Sequence, residues 1–157
     1  MTQHTISASA LIPAPPGQVY TIIADYRDGH PHILPKPHFV GLTVEQGGIG
    51  TGTVIRFQMR LLGRIQTFRA TITEPDPGRV LVETDLQTGA TTTFTVDAGD
   101  EAQQSAVAIT TTMAVREGLL GRLEAWLATR LLRPIYVREL AQLAVVAAQR
   151  AGHTNPG

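Results

Sequence analysis

The sequence contains no cysteine, which removes disulfides, thiolate metal ligands and a cysteine nucleophile together. It has no run of about 18 apolar residues, so no transmembrane helix is expected. Neither sign of charge is in excess, since thirteen Lys and Arg balance thirteen Asp and Glu. That balance provides no global field to draw in nucleic acid or an anionic membrane, and the totals suggest no local basic patch. The opening Met1-Thr2-Gln3-His4-Thr5 lacks a basic region followed by an apolar run. A signal peptide is therefore not expected, and a cytoplasmic location is the default. A Ser-His-Asp order, a phosphate-cradling loop and a nucleotide fingerprint are also missing. The glycine-rich residues 47–52 lie between two strands with no helix following, which reads as a hairpin loop. No cofactor is expected.

What is present is a globular composition: 157 residues, 43% hydrophobic and 17% charged. No repeat or linker divides the chain, so one domain is expected over residues 1–151, followed by a flexible tail over 152–157. Residues 4–12 alternate as a first strand, and Pro13-Ala14-Pro15-Pro16 ends it. A helix fits 15–25, with Val19, Ile22, Ile23 and Tyr26 on one face. Residues 27–34 form a second short helix or turn, stopped by prolines.

From Phe39 the period changes to two. Strands are expected over 39–46, 53–62, 79–87, 90–98 and 106–115, with another following Gly63-Arg64. Gly63-Arg64 has the residue order of a type II′ hairpin turn, which would pair Leu62 with Ile65. Phe57 and Met59 then share a face with Phe68, Ala70 and Ile72. Residues 118–150 read as one helix, its apolar line running Leu120, Leu123, Leu127, Leu131 and then Tyr136, Leu140, Leu143, Ala147. Pro134 sits where the line changes phase, and a bend is expected at 130–134.

Strand, two short helices, six more strands and a long helix is the element order of the helix-grip fold. The sequence resembles the polyketide cyclase/dehydrase-like branch of the START-like (SRPBCC) superfamily. The resemblance is carried by residues 12–26, by Tyr26-Arg27-Asp28-Gly29-His30-Pro31, by Gly52-Thr53-Val54-Ile55-Arg56-Phe57, by residues 74–81 and by the late helix. It implies an α+β fold in which a curved seven-stranded antiparallel sheet wraps the C-terminal helix, with two short helices after the first strand. It also implies a cavity between sheet and helix. The residues support that independently, because one helix must cover an apolar sheet face and cannot fill all of it.

The expected apolar wall, and ligand-binding set, is Phe57, Met59, Phe68, Phe94, Met113, Leu123, Leu127 and Leu131. His30, His32 and His38 cluster among prolines with no common metal spacing, which reads as a polar surface loop without a metal; one of them, His32 for instance, could stand at a pocket mouth and titrate near neutrality. Asp25, Tyr26, Arg27 and Asp28 read as a capping and ion-pair cluster. Arg56 and Arg60 read as solvent-facing, and Trp126 as a rim or contact residue.

Glu83 and Asp85 alternate with Val80, Val82 and Thr84, a pattern that sends the carboxylates outward. Counting a four-residue turn at 75–78 instead pairs Ala70 with Glu83 and sends Glu83 inward. The apolar pattern is preferred, because burying two unpaired carboxylates costs several kcal/mol. Two functions stay open on this basis. One is binding of a hydrophobic small molecule such as a lipid, isoprenoid or polyketide. The other is a cyclase or dehydratase working by general acid/base catalysis, with Tyr26, Glu83 or a loop histidine such as His32 as proton carrier. An interaction module using Trp126 or a sheet edge is a weaker third reading, and homodimerisation is left open. Nucleic acid and stable membrane insertion are not expected.

Overall fold

A computed structural model describes Met1–His153. Eleven residues, Thr2–Ile12, form strand β1, and α1 (Pro16–Ala24) follows with Pro16 in its first turn. A single 3-10 turn, His30–His32, then leads to six further strands. These are β2 (Phe39–Gln46), β3 (Val54–Leu61), β4 (Arg64–Asp76), β5 (Val80–Asp85), β6 (Thr91–Ala98) and β7 (Ser105–Val115). The helix α2 (Gly118–His153) closes the order. All seven strands make one antiparallel sheet in the order β1-β7-β6-β5-β4-β3-β2. Gly152 and His153 continue α2 as helix, so that part of the expected tail is ordered; 154–157 lie outside the described residues.

The β3–β4 hairpin turns one residue earlier than the sequence suggests. Leu61 pairs with Arg64 and Phe57 with Phe68, so the two-residue turn is Leu62-Gly63. Both turn residues have positive φ, 52° and 75°, the requirement of a type I′ turn rather than the expected II′. The pairing changes by two residues, which leaves every side chain on its expected face. Phe57, Phe68, Ala70 and Ile72 stay together, and the Phe57 and Phe68 rings stack with centroids 5.3 Å apart.

The core joins the inner sheet face, α1 and the second half of α2: Ile6, Ile12, Ile22, Ile23, Leu81, Ile109, Leu140 and Leu143 are all buried. Leu140 is 2% exposed, and Leu140→Ala is expected to cost about 2–5 kcal/mol, read as a lower urea midpoint at unchanged slope. A second anchor is Glu74, which accepts from the Tyr20 hydroxyl at 2.6 Å and the Thr51 amide at 2.7 Å. It ties the 47–52 loop to α1, where Gly50 also donates its amide to the Ala24 carbonyl at 2.9 Å. The Tyr20 hydrogen bond holds the Glu74 carboxyl below its usual range.

The helix α2 runs through Pro134 without a break and changes its exposure there. Beyond it, Ile135, Tyr136, Glu139, Leu140, Leu143, Val146 and Ala147 are buried. Before it the expected leucine line is largely outside: Leu120 is 61% exposed, Leu123 58% and Leu127 38%. In this half the less exposed positions carry smaller residues. Gly121 is buried, Ala125, Ala128 and Thr129 are partly so, and the Thr129 hydroxyl bonds His4 Nε2 at 2.7 Å.

Candidate functional site

The sheet and α2 enclose two adjoining chambers that share Phe57, Met59, Glu83, Thr92, Leu132 and Tyr136. The larger, about 330 Å³, runs toward the β3–β4 hairpin between Leu61 and Gln66 on one side and Ala128 and Leu131 on the other. Phe68 and Met113 complete its apolar wall. The smaller, about 70 Å³, reaches inward past Leu34, Phe39, Leu42, Ile55 and Phe94 to His30 and Glu139. Of the residues expected to line a cavity, Phe57, Met59, Phe68, Phe94, Met113 and Leu131 do so. Leu123 and Leu127 do not, because that face of the helix looks into solvent.

Glu83 points into this space, which corrects the outward reading. Opposite Ile72 on β4 and Thr92 on β6, it shares the inner face with Leu81. An irregularity between Thr73 and Asp76 shifts the register, so Ala70 faces Asp85 rather than Glu83, but the inward parity of the turn count survives. The apolar pattern misled because Val80, Leu81 and Val82 are consecutive and offer an apolar residue to both faces. The energetic objection also fails, because the carboxylate is not unpaired. Tyr26, fully buried, donates its hydroxyl to Glu83 Oε1 at 2.6 Å.

Tyr26 and its neighbours part company. Asp25 does cap: its Oδ1 accepts the amides of Arg27 and Asp28 at 3.0 and 3.1 Å. Its carbonyl accepts the amides of Gly29 and His30 at 3.0 and 2.7 Å. Tyr26 instead turns inward, its own amide donating to the Gly48 carbonyl at 2.8 Å. Gly29 permits the fold-back, since a Cβ there would run into the Ile22 carbonyl oxygen.

The tight turn delivers His30 to the cavity, not His32. His32 is on the surface, 3.6 Å from Asp28, whereas His30 is 2% exposed. The His30 ring stacks on Tyr26 at 4.4 Å between centroids and meets Phe94 edge-on at 5.3 Å. Its Nδ1 lies 2.8 Å from the Ile23 carbonyl. A carbonyl can only accept, so Nδ1 carries the proton and the neutral ring turns the Nε2 lone pair inward. Nε2 sits between two carboxyl groups, 3.6 Å from Glu83 Oε1 and 3.7 Å from Glu139 Oε1.

Glu139 is the residue the sequence reading passed over. It falls three positions after Tyr136 and one before Leu140, on the buried face of α2, and is 3% exposed. An acid on an apolar helical line was the available signal. Beside it, the Tyr136 hydroxyl meets Thr111 Oγ1 at 2.5 Å, and Thr111 meets Thr92 Oγ1 at 2.8 Å, a chain of hydroxyls along the cavity wall.

Burial and the nearby Glu83 charge push the Glu139 carboxyl well above its usual range, so it holds its proton. Burial lowers His30, although the Glu83 charge opposes this. Burial, followed by the Glu83 charge and hydrogen bond, raises Tyr26, and burial pushes Tyr136 up to about 12. The site is therefore asymmetric: Glu139 neutral and able to donate, His30 neutral with a free lone pair. Among the described residues, no group of three or more His, Asp and Glu has an arrangement that could hold a metal.

These shifts fix the sign of a pH effect on stability. The folded state keeps the Glu139 proton above the pH at which the unfolded chain releases it. Stability therefore falls as pH rises from the ordinary glutamate range toward the raised value. His30 acts oppositely, costing stability as pH drops below the ordinary histidine value of about 6.5. Glu139→Gln is expected to remove the first slope. Thermal midpoints measured between about pH 5 and pH 8 should decline less toward the alkaline end than in the parent protein.

Together the fold and this lining define a helix-grip protein with an apolar cavity floored by buried acid, phenol and imidazole groups. The chain belongs to the polyketide cyclase/dehydrase and lipid transport family, whose model matches residues 3–148. Among solved structures it is similar to the KanY protein, with a TM-score of 0.79 and 28% identity over 94% of this chain and 99% of that one. It is also similar to the Zhui aromatase/cyclase from Streptomyces sp. R1128, with a TM-score of 0.76 and 18% identity over 96% of each chain. A START superfamily protein from Mycobacterium smegmatis aligns with a TM-score of 0.70 and 15% identity, over 93% of this chain and 98% of that one. A search of the curated proteins returns no significant match. Among the described residues no helix is long and apolar enough to cross a membrane.

Proposed function

We propose that the protein is an acid/base enzyme that closes and dehydrates a poly-β-carbonyl chain bound in the cavity. The single observation that carries this reading is the pair of carboxyl groups at the inner end, Glu139 buried and Glu83 partly so, with His30 Nε2 between them. A vessel for an apolar ligand has no need of such a cluster, which costs folding energy. In the proposed reaction Glu83 takes a proton from the carbon between two carbonyls. The C–H electron pair becomes the new C–C bond to a second carbonyl carbon, whose oxygen takes the proton held by Glu139. Removal of a further α-proton expels the resulting hydroxyl as water, which leaves with a proton from the same acid. His30 Nε2 suits the return of protons from Glu83 to Glu139. The Tyr136–Thr111–Thr92 chain uses two of its three hydroxyl hydrogens internally, which leaves Tyr136 or Thr92 to donate one to a carbonyl oxygen, and the apolar wall holds the rest of the chain.

The family name and the apolar wall also support a carrier that binds such a molecule and releases it unchanged. Incubation with a poly-β-ketone thioester separates the two. Cyclised product and water loss above the buffer rate support the enzyme, and ligand retention without turnover supports the carrier.

A further inference from the structure

The open end of the cavity is bordered by apolar side chains that face water. At the tip of the β3–β4 hairpin Leu62 is 71% exposed; on the first half of α2, Leu120, Leu123, Leu127 and Trp126 are exposed as well. The two groups flank the same mouth, since Leu61 and Gln66 line it from the hairpin and Ala128 and Leu131 from the helix. No other described residue covers them. Arginines are interspersed: Arg64 on the hairpin, on the same face as Leu61 and Gln66, and Arg122 and Arg130 on the helix. Arg64 and Arg122 have no ion-pair partner among the described residues, and Arg130 lies over the Trp126 ring at 5.4 Å. The acids on this half of α2 or beside it are engaged, Glu124 with Arg116 and Glu117 with the N-terminal amine at 3.8 Å. Asp85, which also lines this chamber and accepts the Gln87 amide at 2.7 Å, is the one carboxylate set against Arg64, Arg122 and Arg130, so a chain of zero net charge carries a locally cationic, apolar rim, contrary to what its totals suggest.

We propose that this rim docks the protein reversibly on an anionic lipid bilayer, with the cavity mouth against the membrane. Its charge complements anionic headgroups, and like-charged arginines would oppose pairing with a second copy. The leucines enter the headgroup boundary, and Trp126 lies at the level such rings favour. An apolar ligand could then pass between bilayer and cavity without crossing water. Docking of this kind is peripheral, in keeping with the lack of a spanning helix among the described residues. It does not depend on turnover, so either proposal can fail without the other.

Trp126 is the only tryptophan and reports directly. Its emission is expected to shift to the blue with phosphatidylcholine vesicles containing phosphatidylglycerol, and not with phosphatidylcholine alone. Added salt should reverse the shift. Arg64→Ala with Arg122→Ala should weaken vesicle binding about 30-fold, from about a factor of five per arginine. Leu123→Asp should weaken it at least as much in a sedimentation assay. All three residues are exposed, so folding is expected to be retained, checked by circular dichroism. No shift with the anionic vesicles overturns the proposal. So does a shift that follows protein concentration without lipid, which would assign the patch to self-association.

Discussion

Glu83→Gln is expected to lower turnover of a poly-β-carbonyl substrate by about 10²–10⁴-fold, the usual contribution of a positioned general base. The substitution keeps the size of the side chain and an oxygen that can still accept from Tyr26, so cavity shape and ligand affinity should change little. A loss confined to kcat with KM nearly constant is therefore the expected signature. The charge it removes is also the second-largest cause of the raised Glu139 value, after burial. Glu139 should then titrate closer to its usual range, while His30 loses the charge that opposes its lowering. A variant that binds ligand as before and turns it over at the parent rate would remove Glu83 from the chemistry.

The second large effect concerns stability. Tyr26→Phe deletes the 2.6 Å hydrogen bond to Glu83 and leaves the stacked ring in place. A hydrogen bond to a charged group contributes about 1.5–3 kcal/mol, and the carboxylate left behind, 14% exposed, has little water to replace it. Urea unfolding should show a loss of that order. The same substitution made on top of Glu83→Leu should cost far less, because no buried charge remains to be deprived. A double-mutant cycle with a coupling near zero would mean that the two groups do not support each other in solution.

Much of the fold is legible because the two-residue period survives even where the turn chemistry is read one residue out. The two-residue period from Val54 to Leu61 fixed the inner face of β3, and even the misplaced turn at Gly63-Arg64 preserved the meeting of Phe57 with Phe68. The site was harder to read for a physical reason. Its members are polar groups in positions where pattern reasoning expects apolar ones, and their partners are remote in sequence. Glu83 looked too costly to bury because its donor, Tyr26, is 57 residues away. His30 and His32 share one short 3-10 turn, which sends the first inward and the second to the surface, a difference their spacing among prolines does not reveal. Spacing alone places Leu123 and Leu127 on the wall. Spacing shows that a helix has an apolar face; it does not say whether sheet, solvent or another surface lies opposite.

The central claim is that Glu83 removes a proton from a cavity-bound carbonyl compound. Deuterium incorporation tests this without knowledge of the natural substrate. A β-keto thioester would be mixed with the protein in D₂O and exchange at the carbon between the carbonyls followed by NMR. The account predicts exchange well above the buffer rate with the parent protein, and near the buffer rate with Glu83→Gln at equal occupancy. Saturable binding of the thioester to the parent protein with exchange no faster than in buffer would contradict it.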